Sequence, residues 1–171
     1  KLFRKKDLYG AARKFKEVTG KYSKSPITQL SILKLAEIFF NQANYSESRF
    51  YTQLLVDKYP DGIVIEDATY LLGKRFFMLG DYRKAIPKLK RASEALKNKV
   101  NKTGARYYYS LSLWHIEDSL KALDELDALQ SESTLTKEMK ENIETVIVDL
   151  VRNKIPYDAL YRLQYRYPLG F

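Results

Sequence analysis

A single spacing constrains this chain more than any other feature. Asp7, Asn44, Asp81 and Asp118 follow one another at intervals of 37 residues. Each is a short polar side chain of the kind that caps a helix N-terminus, because its oxygen accepts from backbone N–H groups the first turn leaves unpaired. Glu47, three residues after Asn44, completes a capping-box pattern. Four residues beyond each cap stands a small residue, Ala11, Ser48, Ala85 and Ala122, and Ala159 continues the series. Phe15, Thr52, Leu89, Leu126 and Leu163 come four residues later. Val18, Leu55, Ala92 and Leu129 come three further on, until Arg166 breaks the series. Offsets of three and four lay these residues on one helix face, and the small member lets a neighbouring helix approach closely.

The same register places a second helix upstream of each cap. Its inward positions are Ile32, Leu35, Ala36 and Phe39, then Thr69, Leu72, Gly73 and Phe76. Tyr109, Ser110 and Leu113 follow, with Arg106 in place of the first apolar residue, and then Ile143, Val146, Ile147 and Leu150. Short breakers such as Leu79-Gly80-Asp81 separate the members of a pair, so the paired helices run antiparallel. In Tyr59-Pro60-Asp61-Gly62, Pro60 cannot continue a helix and Gly62 is read as the turn residue because it tolerates a positive φ. Residues 98–103 and 131–134 read as polar connections. Pro156 suits the first turn of a helix, whereas Pro87 is expected to bend one mildly. The expected helices are 7–22, 27–41, 45–58, 65–78, 82–97, 104–115, 118–130, 136–152 and 156–166. The fold class is therefore all-α: a right-handed superhelical solenoid of antiparallel helix pairs forming one domain over 1–171. Residues 1–6 read as the tail of a truncated first repeat, so the pattern is expected to extend further toward the N-terminus, and the last repeat is degenerate.

Composition narrows the function. Apolar residues at 45% and charged residues at 30% are those of a folded chain, and seven glycines and five prolines are few for an all-β protein. No apolar run approaches the roughly 18–20 residues a membrane helix needs. Without cysteine there is no disulfide and no thiol chemistry, and one histidine, His115, makes no ordinary zinc site. No glycine-rich phosphate loop and no Gly-x-Ser-x-Gly elbow occurs. No enzyme, cofactor or metal is expected. The net charge of +9 is striped: residues 83–106 hold nine basic and one acidic side chain, and residues 107–149 hold three basic and ten acidic. Residues 1–24, with nine basic and two acidic, are the other basic stretch.

The segment from Ala68 to Ala92 resembles a tetratricopeptide repeat at Leu72, Gly73, Phe76, Gly80, Tyr82, Ala85, Leu89 and Ala92. The segment from Ile32 to Pro60 is similar at Leu35, Ala36, Phe39, Tyr45, Leu55 and Pro60. Ile147 departs from the pattern, which has a small residue there. The Tyr59-Pro60-Asp61-Gly62 phrase and the Ala-x-Tyr-x-x-Gly helix after it look like the repeats of bacterial envelope proteins of the outer-membrane assembly lipoprotein and Tol–Pal coordinator type. That resemblance implies a periplasmic or outer-membrane-associated scaffold; a cytoplasmic location is the alternative.

A helix-pair solenoid presents a concave surface lined by the first helix of each pair. The register assigns Leu33, Lys34, Glu37, Tyr70, Lys74, Phe77, Tyr107, Leu111, Trp114 and Glu144 to that surface. Asp67, Val148 and Val151 border them. The aromatics suit burial of another protein's segment. The Lys, Asn and Arg clamp with which some tetratricopeptide domains hold a C-terminal carboxylate is missing, since Leu33, Glu37, Tyr70, Leu71 and Lys74 stand at its positions. The alternative is a basic face of Arg83, Lys84, Lys88 and Arg91 that binds an anionic membrane surface or polymer. Nucleic acid is not the expected partner, because no recognition helix or RNA-binding signature accompanies the charge. The apolar C-terminal stretch 167–171 could itself fill the groove. The oligomeric state is left open.

Overall fold

A computed structural model describes residues 25–163, together with helical positions 10, 13–15 and 17. The expected 7–22 helix is thus described only at those positions; Asp7, the residues 1–6 and the 164–171 tail lie outside the described residues. Among the described residues every regular element is helical and there is no strand. The order is α1 (Pro26–Asn41), α2 (Tyr45–Lys58), α3 (Ile65–Met78), α4 (Tyr82–Ala95), α5 (Lys99–His115), α6 (Ser119–Leu129), α7 (Lys137–Asp149) with a π-helical turn (Leu150–Lys154), and α8 (Tyr157–Leu163). Neighbouring helices pack in sequence, and α1 touches α3 while α3 touches α5, so the leading helices also lie against one another.

The 37-residue register reappears in the backbone. Ala43, Gly80 and Glu117 take the left-handed conformation, with φ of 57°, 75° and 64°. Each ends a leading helix in the same way. The N–H groups of Asn44, Asp81 and Asp118 donate to the carbonyls of Phe39, Phe76 and Leu113 at 2.9–3.0 Å. The N–H groups of Ala43, Gly80 and Glu117 donate to Phe40, Phe77 and Trp114 at 2.9–3.1 Å. That double bond pattern is a Schellman motif, which satisfies carbonyls left open by the helix end. Asn44 and Asp81 then cap the next helix through Glu47 N–H and Lys84 N–H, at 3.3 and 3.4 Å. Asp118 holds the cap position without a side-chain bond.

The small residues do what their spacing implies. Ala36, Ser48, Ala85, Ser110 and Ala122 are all fully buried. A Cβ on Gly73 would come within 2.8 Å of Leu89 Cγ and 3.1 Å of its backbone N, so α3 and α4 approach closely enough to exclude a side chain. Around these contacts lie two main cores. One gathers Ile32, Leu35, Tyr51, Leu55 and Leu71 from α1 to α3. The other gathers Leu89, Tyr109, Leu113, Leu126, Ile143 and Leu150 from α4 onward.

Two expectations need correction. The α5 helix begins at Lys99, not at residue 104, because Asn98 caps it by accepting from Asn101 N–H at 3.1 Å. Gly62 has no positive φ; it is small because a Cβ there would run into Gln29 Oε1 and come within 2.8 Å of Tyr59 O. Gln29 Oε1 in turn accepts from Ile63 N–H at 2.9 Å, which ties the loop to α1. Pro87 lies inside the continuous helix α4.

Candidate functional site

The residues assigned to the concave row divide into two groups. Leu33, Tyr107 and Leu111 are 5–6% exposed and belong to the core. They are spent on packing between successive leading helices and present little surface to a partner. The reason is the stacking offset: side chains meet partners 34–35 residues further along. Asp67 accepts from Asn101 Nδ2 at 3.0 Å, Asn142 Nδ2 donates to the Tyr107 hydroxyl at 2.7 Å, and Trp114 Nε1 donates to Asp149 Oδ2 at 2.9 Å. Asn153 and then Trp114 hold the Asp149 carboxyl below the usual carboxylate range. Tyr70 is half-buried against the second core and the small cluster of Ala92, Leu96 and Ala105, and its hydroxyl lies where a Cβ on Gly104 would stand. Burial first, then Tyr108, pushes the Tyr70 phenol upward. Glu144 is exposed beside Gln130, Leu135 and Lys140, apart from the aromatic residues.

The second group forms a connected aromatic surface. Phe77 packs on Tyr108 at 5.0 Å between ring centroids and on Tyr82 at 5.5 Å. The His115 ring stacks on Tyr82 at 4.0 Å with planes 8° apart, and Trp114 lies 4.6 Å from His115. Desolvation lowers the His115 pKa. The geometry partly repeats: Phe40–Tyr45 and Phe77–Tyr82, 37 residues apart, are both edge-on at 5.5 Å and 65°. Tyr108, Tyr82 and Phe40 were not among the residues the sequence singled out. The recurrence of Phe40, Phe77 and Trp114 at 37 residues marks Phe40, and that of Tyr45 and Tyr82 marks Tyr82; Tyr108 has Leu71 and Thr145 at its equivalent positions and carries no such signal.

Lys74 sits at the edge of this surface. Its ammonium lies 5.3 Å from the Phe40 ring and 5.2 Å from the Tyr108 ring, a cation between two aromatic faces. It lines a depression of about 240 Å³ together with Glu37, Asp67, Tyr70 and Asn101. The two carboxylates there are engaged, Glu37 by Lys34 and Asp67 by Asn101. Lys74 thus has no salt bridge among the described residues, and burial lowers its pKa.

The basic face is partly neutralised. Arg91 makes a two-pronged bond to Glu66, with Nη2 to Oε1 at 2.7 Å and Nε to Oε2 at 3.1 Å. Lys84 bonds Asp81 at 2.7 Å. Arg83 and Lys88 are exposed and carry no such partner among the described residues. Among the described residues no three His, Asp or Glu side chains converge as metal ligands. No helix of the described residues is long and apolar enough to cross a membrane.

Comparison with protein-family models, curated proteins and solved structures returns no significant match.

Proposed function

We propose that this chain is a tetratricopeptide-type solenoid that works without catalysis, holding a segment of another protein on the surface of Phe77, Tyr82, Tyr108, Trp114 and Lys74. The recurring Schellman turns and buried small residues support the repeat reading. The observation that carries the binding reading is Lys74. A half-buried ammonium held between Phe40 and Tyr108, with its neighbouring carboxylates already engaged, is set to receive a carboxylate from outside. A charge-assisted bond in such a setting is stronger than the same bond in water. The partner segment therefore carries an Asp or Glu flanked by apolar side chains that cover Phe77 and Tyr108. The envelope location rests on the Tyr59-Pro60-Asp61-Gly62 phrase and the Ala-x-Tyr-x-x-Gly helix that follows it.

Selection of peptides from a displayed random library against the folded chain tests this. The selected peptides are expected to share an acidic residue beside aromatic or aliphatic ones. Lys74→Gln should weaken them about tenfold, or ~1.4 kcal/mol, and Tyr82→Ala comparably, with helicity unchanged. Peptides without a common acid, or affinity indifferent to Lys74→Gln, would sink the reading.

A further inference from the structure

The leading helices α1, α3 and α5 are each separated by one antiparallel partner, so they run parallel and their N-termini share one edge of the molecule. Two hydrogen bonds bring these N-termini together. Ile63 N–H donates to Gln29 Oε1, in the first turn of α1, at 2.9 Å. Asn101 Nδ2, in the first turn of α5, donates to Asp67 Oδ1, in the first turn of α3, at 3.0 Å.

Ile27, Ile63 and Val100 stand at this edge, 36 and 37 residues apart, and are 60%, 65% and 64% exposed. Leu30, one turn after Ile27, is exposed as well. Exposed apolar side chains scattered singly are ordinary. These three are β-branched and are brought to one edge by the repeat. The first turns of α1 and α5 carry no acidic residue, although an acid there would complement the helix dipole. The edge thus forgoes a local stabilisation and keeps negative charge away from its apolar side chains. The carboxylates in the first turn of α3 are both engaged, Glu66 by Arg91 and Asp67 by Asn101.

The charge around Val100 is a second, independent observation. Lys97, Lys99 and Lys102 are exposed and have no salt bridge among the described residues; Lys102 reaches only the Glu94 carbonyl, at 3.4 Å. The Glu94 carboxylate lies 4.0 Å from Lys90, and Glu132 faces Lys99 and Lys102 across a concavity. Beside Ile63 the charge is balanced, with Lys58 and Asp61 both exposed. Ile27, Ile63 and Val100 protrude from helix starts and a loop and line neither that concavity nor the Lys74 depression. Protruding apolar tips flanked by free lysines match a flat, negatively charged surface with an apolar interior, not an inserted chain.

We propose that this edge docks the chain peripherally on an anionic phospholipid bilayer. Ile27, Ile63 and Val100 enter the headgroup layer, and Lys97, Lys99 and Lys102 face the lipid phosphates. Phe77 and Trp114 lie in the last turns of α3 and α5, about 20 Å away along the helices, so the docked edge leaves the aromatic surface open. The inference stands apart from the peptide-binding reading of that surface.

Sedimentation of the whole chain with vesicles of equimolar phosphatidylglycerol and phosphatidylcholine, against phosphatidylcholine alone, tests this. The chain should bind the anionic vesicles about tenfold more tightly than the neutral ones and release them as salt rises. Ile63→Ser/Val100→Ser, on exposed side chains, should weaken vesicle binding about tenfold with helicity unchanged. Lys97→Gln/Lys99→Gln/Lys102→Gln should weaken it comparably and flatten its salt dependence. Leu79→Ser and Arg83→Gln/Lys88→Gln, exposed at the opposite edge and on α4, should leave it unchanged. No vesicle binding, or binding indifferent to Ile63→Ser/Val100→Ser, overturns the proposal. Retention on heparin by a chain that ignores the anionic vesicles overturns it too, because the lysines then serve a soluble polyanion.

Discussion

The three helix pairs from α1 to α6 and the end formed by α7 and α8 follow the same register but close their turns differently. In the pairs, Ala36, Gly73 and Ser110 let the helices approach, and Ala43, Gly80 and Glu117 turn the chain through a left-handed residue. At the end, Ile147 occupies the small position and is only partly buried. Ile155 stands where the cap should be, and the long bond is still made, from Ile155 N–H to the Leu150 carbonyl at 2.9 Å. Lys154, the counterpart of Gly80, takes no positive φ. The chain instead widens into the π-helical turn Leu150–Lys154. A π turn makes the same five-residue reach without asking a long side chain to enter the left-handed region. The lesson is that the repeat tolerates loss of its cap and its small residue together, at the cost of a regular helix end.

The largest effect that would break this comparison is at the small position. Gly73→Val should cost about 3 kcal/mol, since its side chain would enter Leu89 and the α4 backbone. Ile147→Ala, a deletion at the equivalent site, should cost only about 1–2 kcal/mol because Ile147 is partly exposed. Urea unfolding of both variants checks the ranking, and equal losses would mean the last pair is packed as closely as the others.

The turns give a smaller and more pointed contrast. Gly80→Ala should cost about 1 kcal/mol, and Ala43→Gly should raise stability by roughly 0.5–1 kcal/mol, because both sites have positive φ. Lys154→Gly, compared with Lys154→Ala so that the 3.8 Å contact to Glu117 cancels, should cost roughly 0.5–1 kcal/mol instead. A gain at Lys154 would show that the end uses the same turn after all.

The smallest effect concerns His115, which α5 carries at the aromatic surface and whose counterpart in the π-helical turn is Arg152. Desolvation lowers its pKa in the folded state. The folded chain therefore binds its proton less readily than the unfolded one, so stability falls as pH drops from about 6.5 toward the lowered value, then levels off. His115→Gln should remove that slope in thermal unfolding between pH 7 and 5; a slope that persists unchanged places its origin elsewhere.

Much of this was legible in the chain. Asn44 and Asp81 cap where their spacing said, and helices 45–58 and 65–78 have the expected bounds, because caps and small residues act locally. Ser25 and Thr136 cap leading helices three periods apart, whereas Asn98 stands one residue short of that register, so a periodic reading starts α5 too late. The aromatic row was half misread for another reason. Periodicity tells which helix face a side chain occupies, but the 34–35-residue offset between stacked helices decides whether Tyr107 and Leu111 stay open or are covered. Nothing in the residues themselves distinguished Tyr107 from Tyr108 in that respect.

The central claim is best tested by recording amide and indole nuclear magnetic resonances of the chain while titrating in a peptide from the library selection. The account predicts shifts at Lys74, Phe77, Tyr82, Tyr108 and the Trp114 indole, with the first turn of α5 at Lys99–Lys102 undisturbed. Shifts confined to that turn and to the exposed basic residues Arg83 and Lys88, with the aromatic surface silent, would contradict it.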